Sequence, residues 1–114
     1  MKIPAGLLKS RFRKSFKLDE KDREYVSTRG MEVLRRHARD FIVKRLAPAE
    51  ISNDGKQTPY KGHPVFKAQH ATATCCRSCL QKWYRIQKGR NLTSDEVEHV
   101  VGLIVIWIQN QSRQ

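Results

Sequence analysis

Three observations in the sequence predict an all-α fold. Apolar residues recur at three- and four-residue spacing along most of the chain. Helix-start chemistry stands at Asp19, Pro64 and Thr93, and glycines stand at 30 and 89 where helices are expected to end. The one run that reads as a strand by composition, residues 100–108, has no partner strand elsewhere. A length of 114 residues suits one domain with a single modest core. The expectation is a compact single-domain bundle of about five helices, with a long loop before a Cys/His-rich segment.

Each element follows from local chemistry. Leu7, Leu8, Phe12 and Phe16 recur at near-helical spacing, predicting a basic amphipathic helix over 5–15. Asp19 is placed as an N-cap, and Glu20, Asp22 and Glu24 lie at the positive end of the helix dipole, predicting a helix over 19–29 that Gly30 stops. Met31, Leu34, Ala38, Phe41, Ile42 and Leu46 then share one face of a helix over 31–46, with Arg35, Arg36, Arg39, Lys44 and Arg45 on the others. Residues 47–63 hold two prolines, two glycines and an Asn-Asp-Gly, which is turn chemistry without an apolar period. This loop is either a connector or a source of phosphate contacts from Lys56, Gln57, Thr58 and Lys61. Pro64 suits a first helical turn, predicting a short helix through about Ala71 and a second over about 74–86, either separate from the first or continuous with it as one 64–86 element, ended by Gly89. Thr93 and Glu96 fit a capping box, with Leu92 and Val97 as its hydrophobic staple, and start a helix over 94–110. That last helix is apolar on more than one side, so it is either the centre of the bundle or the seam of a homodimer.

Charge narrows the partners. The chain has 23 Lys and Arg against 11 Asp and Glu, a net +12. Such a surplus concentrates polyanions at the surface, with nucleic acid the first partner to expect and an anionic membrane the second. The longest apolar run, Val100 to Ile108, is well short of the roughly 20 residues a bilayer helix needs. The first residues lack the apolar core of a secretory signal. Three cysteines, two of them adjacent, make a poor disulfide framework and fit a reducing cytoplasm.

The chemistry concentrates between Gly62 and Lys88. Cys76-x-x-Cys79 leads into a helix, a spacing that brings two thiolates to one ion at about 2.3 Å. Cys75, His63 or His70 can complete a tetrahedron, with His37 as a further donor from another helix. Thiolate and imidazole donors favour zinc over magnesium or calcium. The bland reading is three small buried residues beside Leu80 and Trp83. A thioredoxin-like motif is disfavoured because no strand precedes the pair. A nucleophilic thiol, with its pKa lowered by a helix N-terminus and Arg77, lacks an orienting carboxylate, since no acid lies between Asp54 and Asp95. Arg11, Arg13 and Lys14 near the start, with Arg77, Lys82, Arg85, Lys88 and Arg90 in an acid-free stretch, are candidate phosphate contacts. Tyr84 among them is a candidate to stack on an unpaired base.

The runs H-A-R-D-F-I (37–42), R-L-A-P-A (45–49), N-D-G-K-Q-T-P (53–59) and G-H-P-V-F-K-A-Q-H-A-T-A-T-C-C-R-S-C-L-Q-K-W (62–83) resemble a bacterial family of small proteins, the domain of unknown function DUF4186. The resemblance covers nearly the whole chain. It implies that His63, His70, Cys75, Cys76 and Cys79 belong to one motif, which strengthens the metal reading. The family pattern has His after the Trp and Pro in the following turn; here those positions are Tyr84 and Gln87. The combined expectation is a nucleic-acid-binding protein with a structural Cys/His zinc site. The alternatives are a metal- or cysteine-dependent enzyme acting on nucleic acid, with His70 and the His37–Asp40 pair in play, and an oligomeric interaction module built on the last helix.

Overall fold

The computed structural model describes residues 3–51 and 53–113, which form seven helices and, among the described residues, no strand. They are α1 (Ala5–Lys9), α2 (Arg11–Lys14), α3 (Glu20–Arg29), α4 (Met31–Arg45), α5 (Pro64–Ala71), α6 (Arg77–Tyr84) and α7 (Ser94–Ser112). The all-α expectation holds. The expected 5–15 helix is divided in two, and the 64–86 stretch is two separate helices and not one continuous element; both divisions shape the site.

The first division is at Ser10. Its extended backbone ends α1, and its side-chain oxygen accepts the Arg13 amide at 3.2 Å to cap α2. The second lies between α5 and α6. The Ala73 amide donates to the His70 carbonyl and the Thr74 amide to the Gln69 carbonyl at 2.8 Å, a Schellman closure with Ala73 in the left-handed region at φ 59°. Thr72 and Thr74 consolidate it: their hydroxyls meet at 3.0 Å, and Thr72 Oγ1 donates back to the Ala68 carbonyl. Cys76 then lies extended as the N-cap of α6, its Sγ accepting the Cys79 amide.

The remaining boundaries match local chemistry. Asp19 and Asp22 form a reciprocal capping box on α3, as Thr93 and Glu96 do on α7. Gly30 joins α3 to α4 at φ +83°, a conformation few other residues adopt readily.

α7 packs most extensively on α4, then on α5. Leu34, Ile42 and Leu46 of the α4 segment meet Val100, Val101, Ile104 and Ile108 of α7, all essentially sealed from solvent, with Val65, Ala68 and Leu80 from the central segment. Each such aliphatic side chain contributes about 1.5–3 kcal/mol through burial. Val97, Leu103 and Val105 are buried as well, so the breadth of the α7 apolar surface is consumed within the chain; Ile106 remains 49% exposed. Among the described residues no helix is long and apolar enough to cross a membrane. Residues 64–77 form the most continuously buried segment, interrupted only by half-buried Lys67.

Candidate metal centre

The break between α5 and α6 gathers the cysteines. Cys75 and Cys76 lie on the extended approach to α6, and Cys79 falls in its first turn, so the three sulfurs converge within 4.8 Å of one another. Cys75 Sγ and Cys79 Sγ are 3.7 Å apart. Bonds of about 2.3 Å to a tetrahedral ion place neighbouring sulfurs about 3.8 Å apart, so this pair already spans a tetrahedral edge. All three thiols are free, two of them buried. A cysteine cluster able to hold a metal ion is therefore present.

The cluster is charge-balanced from across the fold. Arg13 donates through Nη2 to Cys79 Sγ at 3.2 Å and through Nη1 to Cys75 Sγ at 3.6 Å and the His70 carbonyl at 2.7 Å. Hydrogen bonds from the Cys75 and Cys76 thiols, reinforced by Arg13, hold the Cys79 thiol well below its usual range. The Cys75 thiol is pushed up, by its hydrogen bonds with the neighbouring sulfurs and by burial. The cluster therefore carries one thiolate readily and more when a cation joins it.

The long loop secures the same region. Thr58 Oγ1 donates to the Cys75 carbonyl at 2.8 Å, and His70 Nε2–H donates to the carbonyls of Thr58 and Pro59. Asp54 accepts the Arg77 amide at 2.9 Å, the Ser78 hydroxyl and the Gln57 amide, and pairs with Lys88 at 3.2 Å. These bonds hold its carboxyl far below the ordinary range against the cost of burial. An acid at the start of α6 also favours the helix dipole. Loop residues 54–59 thus hold the approach to the cysteines.

The two histidines of the motif stand apart from the sulfurs. The convergent group comprises the cysteines alone. His70 spends Nε2 on two carbonyls, and its ring lies nearly parallel to those of Tyr60 and Phe16. His63 caps α5, its Nδ1 accepting the Val65 amide at 3.0 Å. That bond fixes the proton on Nε2, which donates to His37 Nδ1 at 3.1 Å, so neither His63 nitrogen has a lone pair to offer an ion. Burial first, and then His37, lowers the His63 pKa to about 4. His37 turns to His63 and to Tyr25, 3.4 Å from its hydroxyl, while Asp40 is exposed to solvent.

The candidate phosphate contacts divide sharply. Arg11, Lys14, Lys82 and Arg85 are exposed and make no ion pair among the described residues. Arg13 is committed to the sulfurs. Arg77 is only 2% exposed, with its guanidinium on the carbonyls of Leu46, Ala47, Pro48 and Gln87. Lys88 pairs with Asp54, and Arg90 grips Glu96 with two bonds. Tyr84 is half-buried and donates its hydroxyl to the Thr72 carbonyl, so its ring braces the α5–α6 turn instead of facing solvent.

Two contacts join α1 and α2 to α6. A Cβ at Gly6 would sit 2.8 Å from Trp83 Cζ3, so α1 approaches the indole closely and a larger residue there would displace the ring. Arg13 makes the second junction through Cys79. Arg13, Asp54 and Thr58 are the site residues whose positioning roles the residue pattern did not assign; the Asn-Asp-Gly turn is the only sequence signal among them. No solved structure matches the chain. A family model does match, over residues 2–109, and the protein belongs to the family it describes, the domain of unknown function DUF4186.

Proposed function

We propose that Cys75, Cys76 and Cys79 bind a zinc ion that orders a basic, nucleic-acid-contacting flank. The observation that carries the metal reading is the convergence of three free thiols on one point, two of them 3.7 Å apart. Electrostatics supports it: three thiolates and a divalent cation sum to minus one, and the Arg13 guanidinium on Cys75 and Cys79 neutralises the remainder. Soft sulfur donors select zinc over harder cations. The fourth position falls to a water molecule, since His63 and His70 are held by other partners away from the sulfurs. The ion is structural in this reading, since it joins the α2 contact, the loop and the start of α6 at one point.

The nucleic-acid part rests on charge and placement. Arg11, Lys14, Lys82 and Arg85 are exposed without acidic partners, on elements that the Gly6–Trp83 and Arg13–Cys79 contacts bring together. Neither residues 1–18 nor residues 55–94 contain an acid. Phosphate contacts from such a flank position a strand without reading its sequence. The dimer reading loses its main support because the α7 apolar surface is covered by α4 and α5.

Elemental analysis of protein purified without chelator tests the metal: one zinc per chain is expected, absent from Cys79→Ser. Cobalt substitution should give the intense thiolate bands of a tetrahedral site. Metal-free protein whose melting is unchanged by added zinc would end the proposal. Binding to mixed DNA and RNA should weaken steeply from about 50 to about 200 mM salt; no binding at the lower salt would remove the nucleic-acid reading.

A further inference from the structure

We propose that the exposed rings of Phe12 and Tyr60, rimmed by Arg11, Lys14 and Lys61, form a stacking platform for unpaired bases, so that the ligand of the basic flank is a single strand. This rests on the nucleic-acid reading above and names the form of its ligand.

Tyr60 is 62% exposed and Phe12 50%, large aromatic surfaces for a chain with a sealed core. Both pack on Phe16. Phe12 meets Phe16 edge-on at 5.2 Å between centroids, and Tyr60 lies nearly parallel to it at 6.4 Å. One face of Tyr60 rests on the His70 ring, 4.3 Å away and tilted by only 9°. His70 is itself immobilised, through its ring nitrogen on the Thr58 and Pro59 carbonyls and through its own carbonyl on Arg13. The Tyr60 ring is thus pre-oriented by its inner face while its surface remains largely open. A base laid on that outer face extends an existing stack and orders little that is not already ordered.

Charge selects the occupant. Arg11, Lys14 and Lys61 are exposed, Arg11 and Lys61 next to Phe12 and Tyr60 in the chain and Lys14 two residues on from Phe12, and their segments are acid-free. A flexible strand places phosphates on such a rim while its bases lie on the rings. A duplex hides its base faces and offers only phosphates, so it engages the cations and forgoes the stacking. The position also reassigns the stacking role, since Tyr84 is turned inward to the Thr72 carbonyl.

The test measures binding of the full chain to a labelled single strand of about 12 nucleotides and to a blunt duplex of the same length, with every variant's melting checked first. Wild-type protein should prefer the single strand by about tenfold or more. Tyr60→Ala and Phe12→Ala should each weaken it by about 5- to 100-fold without changing the salt dependence, because no charge is removed. Tyr60→Leu, which keeps apolar contact with His70 but has no aromatic face, should lose as much, while Tyr60→Trp should bind like wild type. Equal affinity for duplex and single strand, or undiminished binding by folded Tyr60→Leu, would overturn the platform and leave the phosphate flank standing. No affinity for either at low salt would overturn the parent reading as well. So would binding only to phosphatidylserine vesicles, lost in Phe12→Ala, which would give Phe12 and neighbouring exposed Leu8 to a membrane surface.

Discussion

Replacing Arg77 with Met should destabilise the fold without touching a ligand surface. The side chain is 2% exposed, yet it carries a charge and donates to four carbonyls, those of Leu46, Ala47 and Pro48 where α4 runs into the loop and that of Gln87 beyond α6. The two Nη atoms therefore tie the exit of α4 to the exit of α6. Hydrogen bonds to a charged group are worth about 1.5–3 kcal/mol each, but relieving a buried guanidinium of its desolvation cost offsets part of the loss. The bond to Gln87, at 2.6 Å, is the shortest, and the three to the α4 exit share one nitrogen at 3.2–3.4 Å. Counting these as roughly two effective bonds gives a net loss of about 3 kcal/mol. With an unfolding entropy of about 2.1 cal/mol/K per residue, that lowers the melting midpoint by about 12 °C. Thermal melting by circular dichroism, with urea unfolding for the free energy, measures it. Arg77→Lys should recover little, because a single ammonium cannot span both exits. A midpoint within about 2 °C of wild type for Arg77→Met would refute the clamp.

Other outcomes follow from the same geometry. Arg13→Met should weaken zinc binding by about 10- to 100-fold, read by competition with a chromophoric chelator, since it removes the donors on Cys75 and Cys79 but no sulfur. Arg85→Gly should raise stability by about 0.5–1 kcal/mol in urea unfolding, because Arg85 closes α6 at φ 59° and glycine reaches that region without strain. His63 predicts an acid-side loss of stability. Its folded pKa of about 4 lies below the ordinary 6.5, so the unfolded chain binds the extra proton; its contribution is complete above pH 6.5 and disappears as the pH falls toward 4. The loss is at most about 3 kcal/mol, and His63→Asn, which retains an N-cap acceptor, should flatten that part of the profile. Glu96, lowered to about 2 chiefly by Arg90, adds a loss of the same sign at still lower pH.

The helices were legible because their signals are local. Thr93 and Glu96 sit three residues apart, and the Leu34–Ala38–Ile42 stripe repeats within one element, so neither depends on what packs around it. A break after about Ala71 is one reading of the sequence, but its geometry and the start of α6 only at Arg77 are not. Alanine at 73 gives no hint of a left-handed residue, and the signal is carried by Thr72 and Thr74 bonding to each other across the turn. The cysteine grouping was visible in the Cys-x-x-Cys spacing, but the partners of the motif histidines were not. His63 meets His37 through the packing of α5 against α4, a relation no linear spacing encodes. Charge misleads most at buried sites. Arg77 reads as a solvated cation on a helix until the carbonyls of Leu46, Ala47 and Pro48 close on it, and a helical face is exposed only if nothing distant covers it. Arg13 is the opposite case, a residue from a basic amphipathic stretch drawn to sulfur by neighbours 62 and 66 positions away.

That last separation bears on how the protein is made. The short α1–α2 arm is synthesised before its landing site (Trp83 and the sulfur of Cys79), with 66 positions between Arg13 and Cys79. Until then the arm is a cationic, partly greasy ribbon with nothing to rest on, and a large loop must be closed before its guanidinium finds the thiols. The cysteine centre can therefore close as soon as α6 is made, before α7 arrives to complete the core, because the guanidinium that meets its sulfurs has preceded them out.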